Sequence, residues 1–266
     1  MSADELLLEL GDSIATITFN RPGKANAIGV DWPERITRFL REVEHRPEVR
    51  AVLFRAVGKH FQAGGDLEAQ PPADPAAPHL RLGWIADQIQ GWNVMLRTIM
   101  HLPKPVVASI QGGTVGASLG LLGACDLVIA ADDAWLWLAQ GKNGFTLDGM
   151  PSFFLPRLLG TRKAMEWVLL APRVPAEEAR RLGLINFVVP RADLEAETAK
   201  LMDELARGPT RAHGLNKALV NAALDNDFDT QAGSEMDTYM IGAQTNDWFE
   251  GSAAFREKRA PKFTGT

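Results

Sequence analysis

The chain has 266 residues, 46% of them hydrophobic and 23% charged, with a formal net charge of −5. That length can bury a full core, and a net negative charge supplies no global field for nucleic acid or anionic lipid, so neither is expected as a partner. A single cysteine, Cys125, excludes an internal disulfide and fits a reducing cytosol; it lies in an apolar run, as an inert core thiol does. Met1–Leu10 lacks the basic and apolar regions of a secretory signal, and no apolar run reaches the ~18–20 residues of a membrane span. A cytoplasmic protein without membrane attachment is expected.

Taken in chain order, Leu6–Leu10 and Ile14–Phe19 flank Gly11-Asp12 and predict a β-hairpin. Asn20-Arg21-Pro22-Gly23 starts a loop. A helix is expected from Asp31 as cap to about Arg46, with Pro33 in its first turn and Pro47 beyond its end. Ala51–Val57 reads as a buried strand, Lys59–Ala69 as a glycine-rich loop, and Gln70–Pro78 as a mobile stretch rich in proline and alanine. Trp84–Met100 has helical periodicity, Val106–Ile110 reads as a strand, Gly112–Gly116 as a glycine turn, Ala117–Ala124 as a helix and Leu127–Ala131 as a strand. Strands interleaved with helices imply an α/β layer architecture with right-handed crossovers. Past Pro156 the pattern turns helical over Thr161–Leu170, Pro175–Leu182, Asp193–Ala206, Pro209–Leu224 and Thr230–Arg259, with only Asn186–Val189 strand-like. No internal repeat is present.

Two strands run into glycine loops. Val52-Leu53-Phe54-Arg55-Ala56 leads to Ala63-Gly64-Gly65-Asp66-Leu67, and Val106-Val107-Ala108-Ser109-Ile110 leads to Gly112-Gly113-Thr114-Val115-Gly116-Ala117. Glycines let a backbone approach a ligand, and a helix starting at Ala117 leaves N–H groups without intrahelical partners. Donors from two such loops can converge on one developing oxyanion. Taken alone, the glycines fit tight turns equally well.

The order and spacing of further motifs bear on that choice. They are Asn20-Arg21-Pro22, Asn26-Ala27, Phe61–Leu67, Lys104–Ala108, Gln111-Gly112, Gly116–Gly120, Cys125-Asp126-Leu127, Leu147-Asp148-Gly149, Leu155–Gly160, Ala176–Gly183 and Phe255–Arg259 with Phe263. Over nearly the whole chain this pattern resembles the crotonase (enoyl-CoA hydratase/isomerase) superfamily. The resemblance implies a spiral of ββα units over residues 1–205, a helical trimerisation region over 206–266, and a homotrimer or dimer of trimers. It also implies a coenzyme A thioester as substrate and no prosthetic group or metal. By the same resemblance, the oxyanion donors are Gly65 and Ala117, the latter where the family usually has glycine. Coenzyme A contacts fall on Lys24, Ala25, Ala27, Gly65, Asp66, Leu67, Phe255 and Lys258. Lys24 and Lys258 can equally be solvated surface charges.

The reaction depends on carboxylates. Family hydratases use two glutamates, and the matching positions here are Gly120 and Gln140, neither of which exchanges a proton at neutral pH. Asp148 matches an acidic residue used by some family isomerases and by aryl-CoA dehalogenases. It suits a proton shuttle between two carbons of an enolate held by Gly65 and Ala117, or it caps the helix that follows. The expectation is an isomerase-like enzyme. A divergent hydratase, thioester hydrolase or dehalogenase, and a silent coenzyme A-binding scaffold, are the alternatives. Dehalogenation needs a histidine where Asn93 stands. Trp84, Trp92, Trp135 and Trp137 are expected near the acyl pocket or in the core, and His60 near the first loop. Gly116-Ala117-Ser118-Leu119-Gly120 also fits the nucleophile elbow of α/β-hydrolases, with Asp193 and His213 to complete a triad. An elbow follows its strand at once, however, and Gly112–Val115 intervene.

Overall fold

The structure is a computed structural model that describes residues 4–72 and 74–266. The expectations at residues 1–3 and at Ala73, within the Gln70–Pro78 stretch, lie outside the described residues. β1 (Leu6–Leu10) and β2 (Ile14–Phe19) form the expected antiparallel hairpin, followed by α1 (Trp32–Glu44) and β3 (Ala51–Ala56). The amphipathic α1 places Trp32, Ile36, Phe39, Leu40 and Val43 on one buried face, and Trp32 stacks on Phe19 at 5.3 Å between ring centroids. α2 (Pro78–His101) begins six residues before the expected helix, because Pro78 suits a first helical turn. Its second half buries Trp92, Met95, Leu96 and Ile99, whereas none of its first half is fully buried.

β4 (Val106–Ile110) is buried at every position, as a central parallel strand requires. The chain continues through β5 (Gly113–Val115), α3 (Ser118–Ala124), β6 (Leu127–Ala131), β7 (Trp135–Trp137), α4 (Gln140–Asn143), α5 (Pro151–Leu159) and α6 (Thr161–Leu170). Then come β8 (Arg173–Pro175), α7 (Ala176–Arg181), β9 (Phe187–Val189), α8 (Leu194–Arg207), α9 (Thr210–Ala222), α10 (Phe228–Gly242) and α11 (Asn246–Glu257). The large sheet has the order β1-β2-β3-β4-β6-β9, parallel except for the hairpin, and a small sheet has the order β5-β7-β8. Three expectations are corrected. Past Pro156, Asn186–Val189 is not the only strand-like stretch, because β8 forms by antiparallel pairing with β7 and takes Pro175 out of the expected helix. The Gly112–Gly116 turn contains β5, a strand formed by long-range pairing with β7 that leaves no local alternation to read. The stretch Thr230–Arg259 is two helices, because the Thr245 hydroxyl accepts the Trp248 N–H and starts α11 afresh.

Side-chain alternation in β3 divides the core. Val52 and Phe54 face the main cluster with α1, α2 and α3, while Ala51 and Leu53 face α8 through Leu194 and Met202. Lys104, at the start of the Lys-Pro segment before β4, is 5% exposed. Its ammonium donates to the Val43 and Arg46 carbonyls at the end of α1, where the helix dipole favours a cation. Loss of hydration nonetheless outweighs this and pushes its pKa down to about 8 from 10.5. Between those values the unfolded chain holds a proton that the folded chain has released, so rising pH favours the fold, by at most ~1.4 kcal/mol per unit. Urea midpoints measured from pH 8 to 10.5 are expected to shift in favour of wild type relative to Lys104→Met as the pH rises.

Candidate active site

The two glycine loops are zipped together by backbone. Phe61 donates to the Gln111 carbonyl at 2.8 Å and Gln62 to that of Gly113 at 3.2 Å, while Val115 donates back to Gln62 at 2.9 Å. Gly64 has φ +86°, and a Cβ there would lie 2.9 Å from the Val115 carbonyl oxygen, so glycine is required for the approach. One side chain ties the first loop to Arg21, and another reinforces the zipper itself. Buried Asn26 donates to the carbonyls of Val57 and His60 and accepts from the Arg21 N–H. Nδ1 of His60 accepts from the Gly113 N–H at 2.9 Å, and burial holds its pKa down in the neutral form that this bond requires.

This pairing sets Gly65 and Ala117 on the wall of one cavity of about 110 Å³, together with Ile28, Val30, Trp84, Trp92, Asp148 and Gly149. Neither backbone N–H meets an acceptor among the described residues. A Cβ on Gly65 would meet nothing within 4 Å, which is what a residue facing open space gives. Ala117 has an ordinary helical φ of −57°, so its methyl brings no backbone strain. That methyl is accommodated by Gly149: at φ +72°, a Cβ on Gly149 would come within 2.6 Å of the Cβ of Ala117.

Asp148 does not cap α5. Met150 takes the N-cap position without a side-chain bond, and Oδ1 of Asp148 instead accepts from Nε2 of Gln140 at 2.9 Å. Gln140 thus holds the aspartate, a part not visible when it is read only as a missing glutamate. The other position is closed altogether. A Cβ on Gly120 would lie 1.6 Å from the Gly149 carbonyl oxygen and 3.3 Å from Leu96, so no side chain fits there while Gly149 stays in place. Asp66 is the second carboxylate on the cavity wall, but Arg21 binds it at 2.8 Å and Lys24 lies at 3.7 Å. Burial would raise its pKa; the Arg21 guanidinium, the Glu68 N–H and Lys24 together hold it below the usual carboxylate range.

The remaining expected residues divide. Lys24 is ion-paired with Glu68 at 2.8 Å, Ala25 has φ +48° and offers its carbonyl to Ala63, Ala27 is buried, and Leu67 is exposed beside Asp66. Phe255 and Lys258 lie at the end of α11, exposed and away from the cavity wall. Trp84 and Trp92 line the cavity. Trp135 and Trp137 do not: Trp135 packs edge-on to His60, Trp137 donates to the Ala171 carbonyl, and Arg173 stacks on both. The hydrolase triad does not assemble. Ser118 is fully buried with its hydroxyl unpartnered, Nδ1 of His213 is unpartnered too, and Asp193 is exposed at the start of α8. Asn93 leaves its buried oxygen without a donor and is not part of the cavity wall.

A family model described as enoyl-CoA hydratase/isomerase matches residues 9–266. The chain belongs to this family. The 1,2-epoxyphenylacetyl-CoA isomerase of Escherichia coli strain K12 is 34% identical over 98% of each chain. The 4-chlorobenzoyl coenzyme A dehalogenase-2 of an Arthrobacter species is 31% identical over 97% of this chain and 92% of its own. Among solved structures, an enoyl-CoA hydratase from Bacillus anthracis superimposes with a TM-score of 0.90 at 27% identity, covering 99% of this chain and all of the other. The crotonase fold and an acyl-CoA enzyme of the enoyl-CoA hydratase/isomerase family are thereby established. The activities named for these relatives differ.

The packing of Gly120 gives a direct expectation. Gly120→Ala forces the 148–150 turn outward and costs roughly 1–3 kcal/mol as overpacking. Denaturant midpoints should fall, whereas Gly65→Ala, whose Cβ meets open space, should leave them within about 0.5 kcal/mol of wild type.

Proposed function

We propose that this chain is an isomerase-like acyl-CoA enzyme in which Asp148 alone moves the proton. The observation that carries this reading is the Gly149 carbonyl filling the space beside Gly120, with Gln140 engaged on Asp148. Hydration of an enoyl thioester needs one group to activate water and another to protonate carbon. Asp66 is held in an ion pair, so Asp148 is the carboxylate left for proton transfer.

In the proposed reaction the Gly65 and Ala117 N–H groups donate to the thioester oxygen. Asp148 removes a proton from one carbon, the electron pair delocalises onto that oxygen, and the same carboxyl returns the proton to another carbon. Each preorganised donor is worth about 3 kcal/mol in such a step. The amide of Gln140 holds Oδ1 and leaves Oδ2 to accept the proton. For the coenzyme we assign Lys24, Ala25, Ala27, Gly65, Asp66 and Leu67, with Lys24 exchanging Glu68 for a phosphate; Phe255 and Lys258 are assigned to the nucleotide end.

Bound acyl-CoA thioesters should exchange their α-proton with deuterated solvent in wild type. In Asp148→Asn the exchange should fall by at least ~100-fold, the lower range for a general base, while binding persists. Unchanged exchange in that variant would remove Asp148 from the mechanism. Binding without exchange by wild type, over a broad acyl panel, would favour a silent scaffold.

We also propose that residues 206–266 assemble trimers. Supporting this, α10 buries no residue within the chain, and Phe228, Met236, Tyr239, Met240 and Phe249 are exposed on α10 and α11. Sedimentation velocity should give a trimer or hexamer, and Met236→Glu should shift it towards monomer.

A further inference from the structure

Four carboxylate and amide side chains belong to the cavity wall: Asp66, Gln70, Gln88 and Asp148. Three of them are engaged. Asp66 binds Arg21 at 2.8 Å, Oε1 of Gln70 accepts from Arg81 at 3.0 Å, and Asp148 accepts from Gln140. Gln88 has no hydrogen-bond partner among the described residues. It is half-buried, and neither atom of its amide is sealed from solvent, so a ligand atom can reach it. Gln88 lies on α2 one turn after Trp84 and one turn before Trp92, with Ile85 and Ile89 beside it, all on the cavity wall. A glutamine at the centre of an otherwise apolar helix stripe breaks the pattern that packing alone selects. Nε1 of Trp92 lies 2.9 Å from the point a Cβ on Gly149 would occupy, so the Asp148 end of the cavity is one turn of α2 away, roughly 6 Å along the axis. Coenzyme contacts near the thioester are assigned to the 24–27 and 65–67 loops, which leaves Gln88 to the acyl group. A hydrocarbon chain against this wall strips water from the amide without replacing its hydrogen bond; an oxygen in the chain replaces it.

We propose that Gln88 is a specificity-determining residue that donates its amide N–H to an oxygen within the acyl group, so that acyl-CoA thioesters carrying an ether, carbonyl or hydroxyl oxygen are preferred over hydrocarbon ones. The inference rests on the acyl-CoA reading above and adds the substrate class to it. In that reading the thioester oxygen belongs to Gly65 and Ala117, so this is a second oxygen. A glutamine amide can also turn its own oxygen to the ligand, and it therefore reads a hydroxyl as readily as an ether.

The test compares heptanoyl-CoA with butoxyacetyl-, 4-ethoxybutanoyl- and 5-methoxypentanoyl-CoA, in which an oxygen replaces one methylene at three different positions of the same chain. Binding is measured by titration calorimetry on the full chain, as wild type, as Gln88→Leu and as Gln88→Glu. Leucine is a good helix former that removes the amide, and glutamate keeps the length but cannot donate when ionised. At least one ether is expected to bind wild type about tenfold more tightly than the heptanoyl compound. In Gln88→Leu that ratio should fall to one or below, with heptanoyl-CoA bound at least as tightly as by wild type. Gln88→Glu should lose the ether preference too, which gives a second reading should the leucine variant fail to fold. No preference for any ether in wild type, or a preference that survives in either variant, would overturn the inference. Equal weakening of all four compounds by Gln88→Leu would assign the residue to the coenzyme arm and overturn it as well. If none of the four bound wild type, the acyl-CoA reading would fall and this inference with it; equal binding by all four would overturn the Gln88 inference alone.

Discussion

Three backbone hydrogen bonds between residues 61–62 and 111–115 hold the rest of the site in register. Each loop leaves its own strand of the large sheet, β3 or β4, and these two strands are neighbours in parallel register. Parallel strands end side by side, so the loops that follow emerge at one edge. The zipper then fixes how far each loop travels before it turns. Without it, Gly65 and Ala117, the proposed donors, would sit on two independently moving segments, and donors that move independently cannot present a preorganised site to one oxygen. His60 belongs to this arrangement as much as the glycines do, because its ring accepts from the Gly113 N–H across the two loops, and Asn26 braces the first of them.

On the far side of the cavity the packing is a chain of close approaches. The Ala117 methyl is tolerated because Gly149 lacks a Cβ, and the Gly149 carbonyl is tolerated because Gly120 lacks one. The alanine at the second proposed donor position and the glycine at 120 are thus linked through a single turn. The same turn carries Asp148, whose orientation is set from the opposite direction by Gln140. Stability and the proposed chemistry share these few atoms.

Much of this was legible in the sequence. The hairpin, α1, the buried strands and α6 follow from apolar periodicity and turn residues, and motif spacing identified both loops and Asp148. The small sheet was not legible, because its three-residue strands exist only through pairing across distant segments. Nor was the Gln140–Asp148 bond, since a glutamine at a glutamate position reads as a loss until its partner is seen. The four tryptophans looked alike in the sequence; packing alone separates Trp84 and Trp92 in the cavity from Trp135 and Trp137 in the small sheet. Asn26 was visible only as part of a motif, although its αL backbone and its complete burial let it tie the Val57 and His60 carbonyls of the first loop to Arg21.

The contact between positions 120 and 149 also constrains how this enzyme can change. A chain of this type cannot acquire a carboxylate at 120 by one substitution, because the first added carbon meets a backbone oxygen rather than a movable side chain. The 148–150 turn would have to be rebuilt beforehand, and that turn carries Asp148. In the proposed mechanism, gaining the second acid group therefore puts the first at risk, so the one-carboxylate arrangement is separated from the two-carboxylate one by an intermediate that has neither in working order.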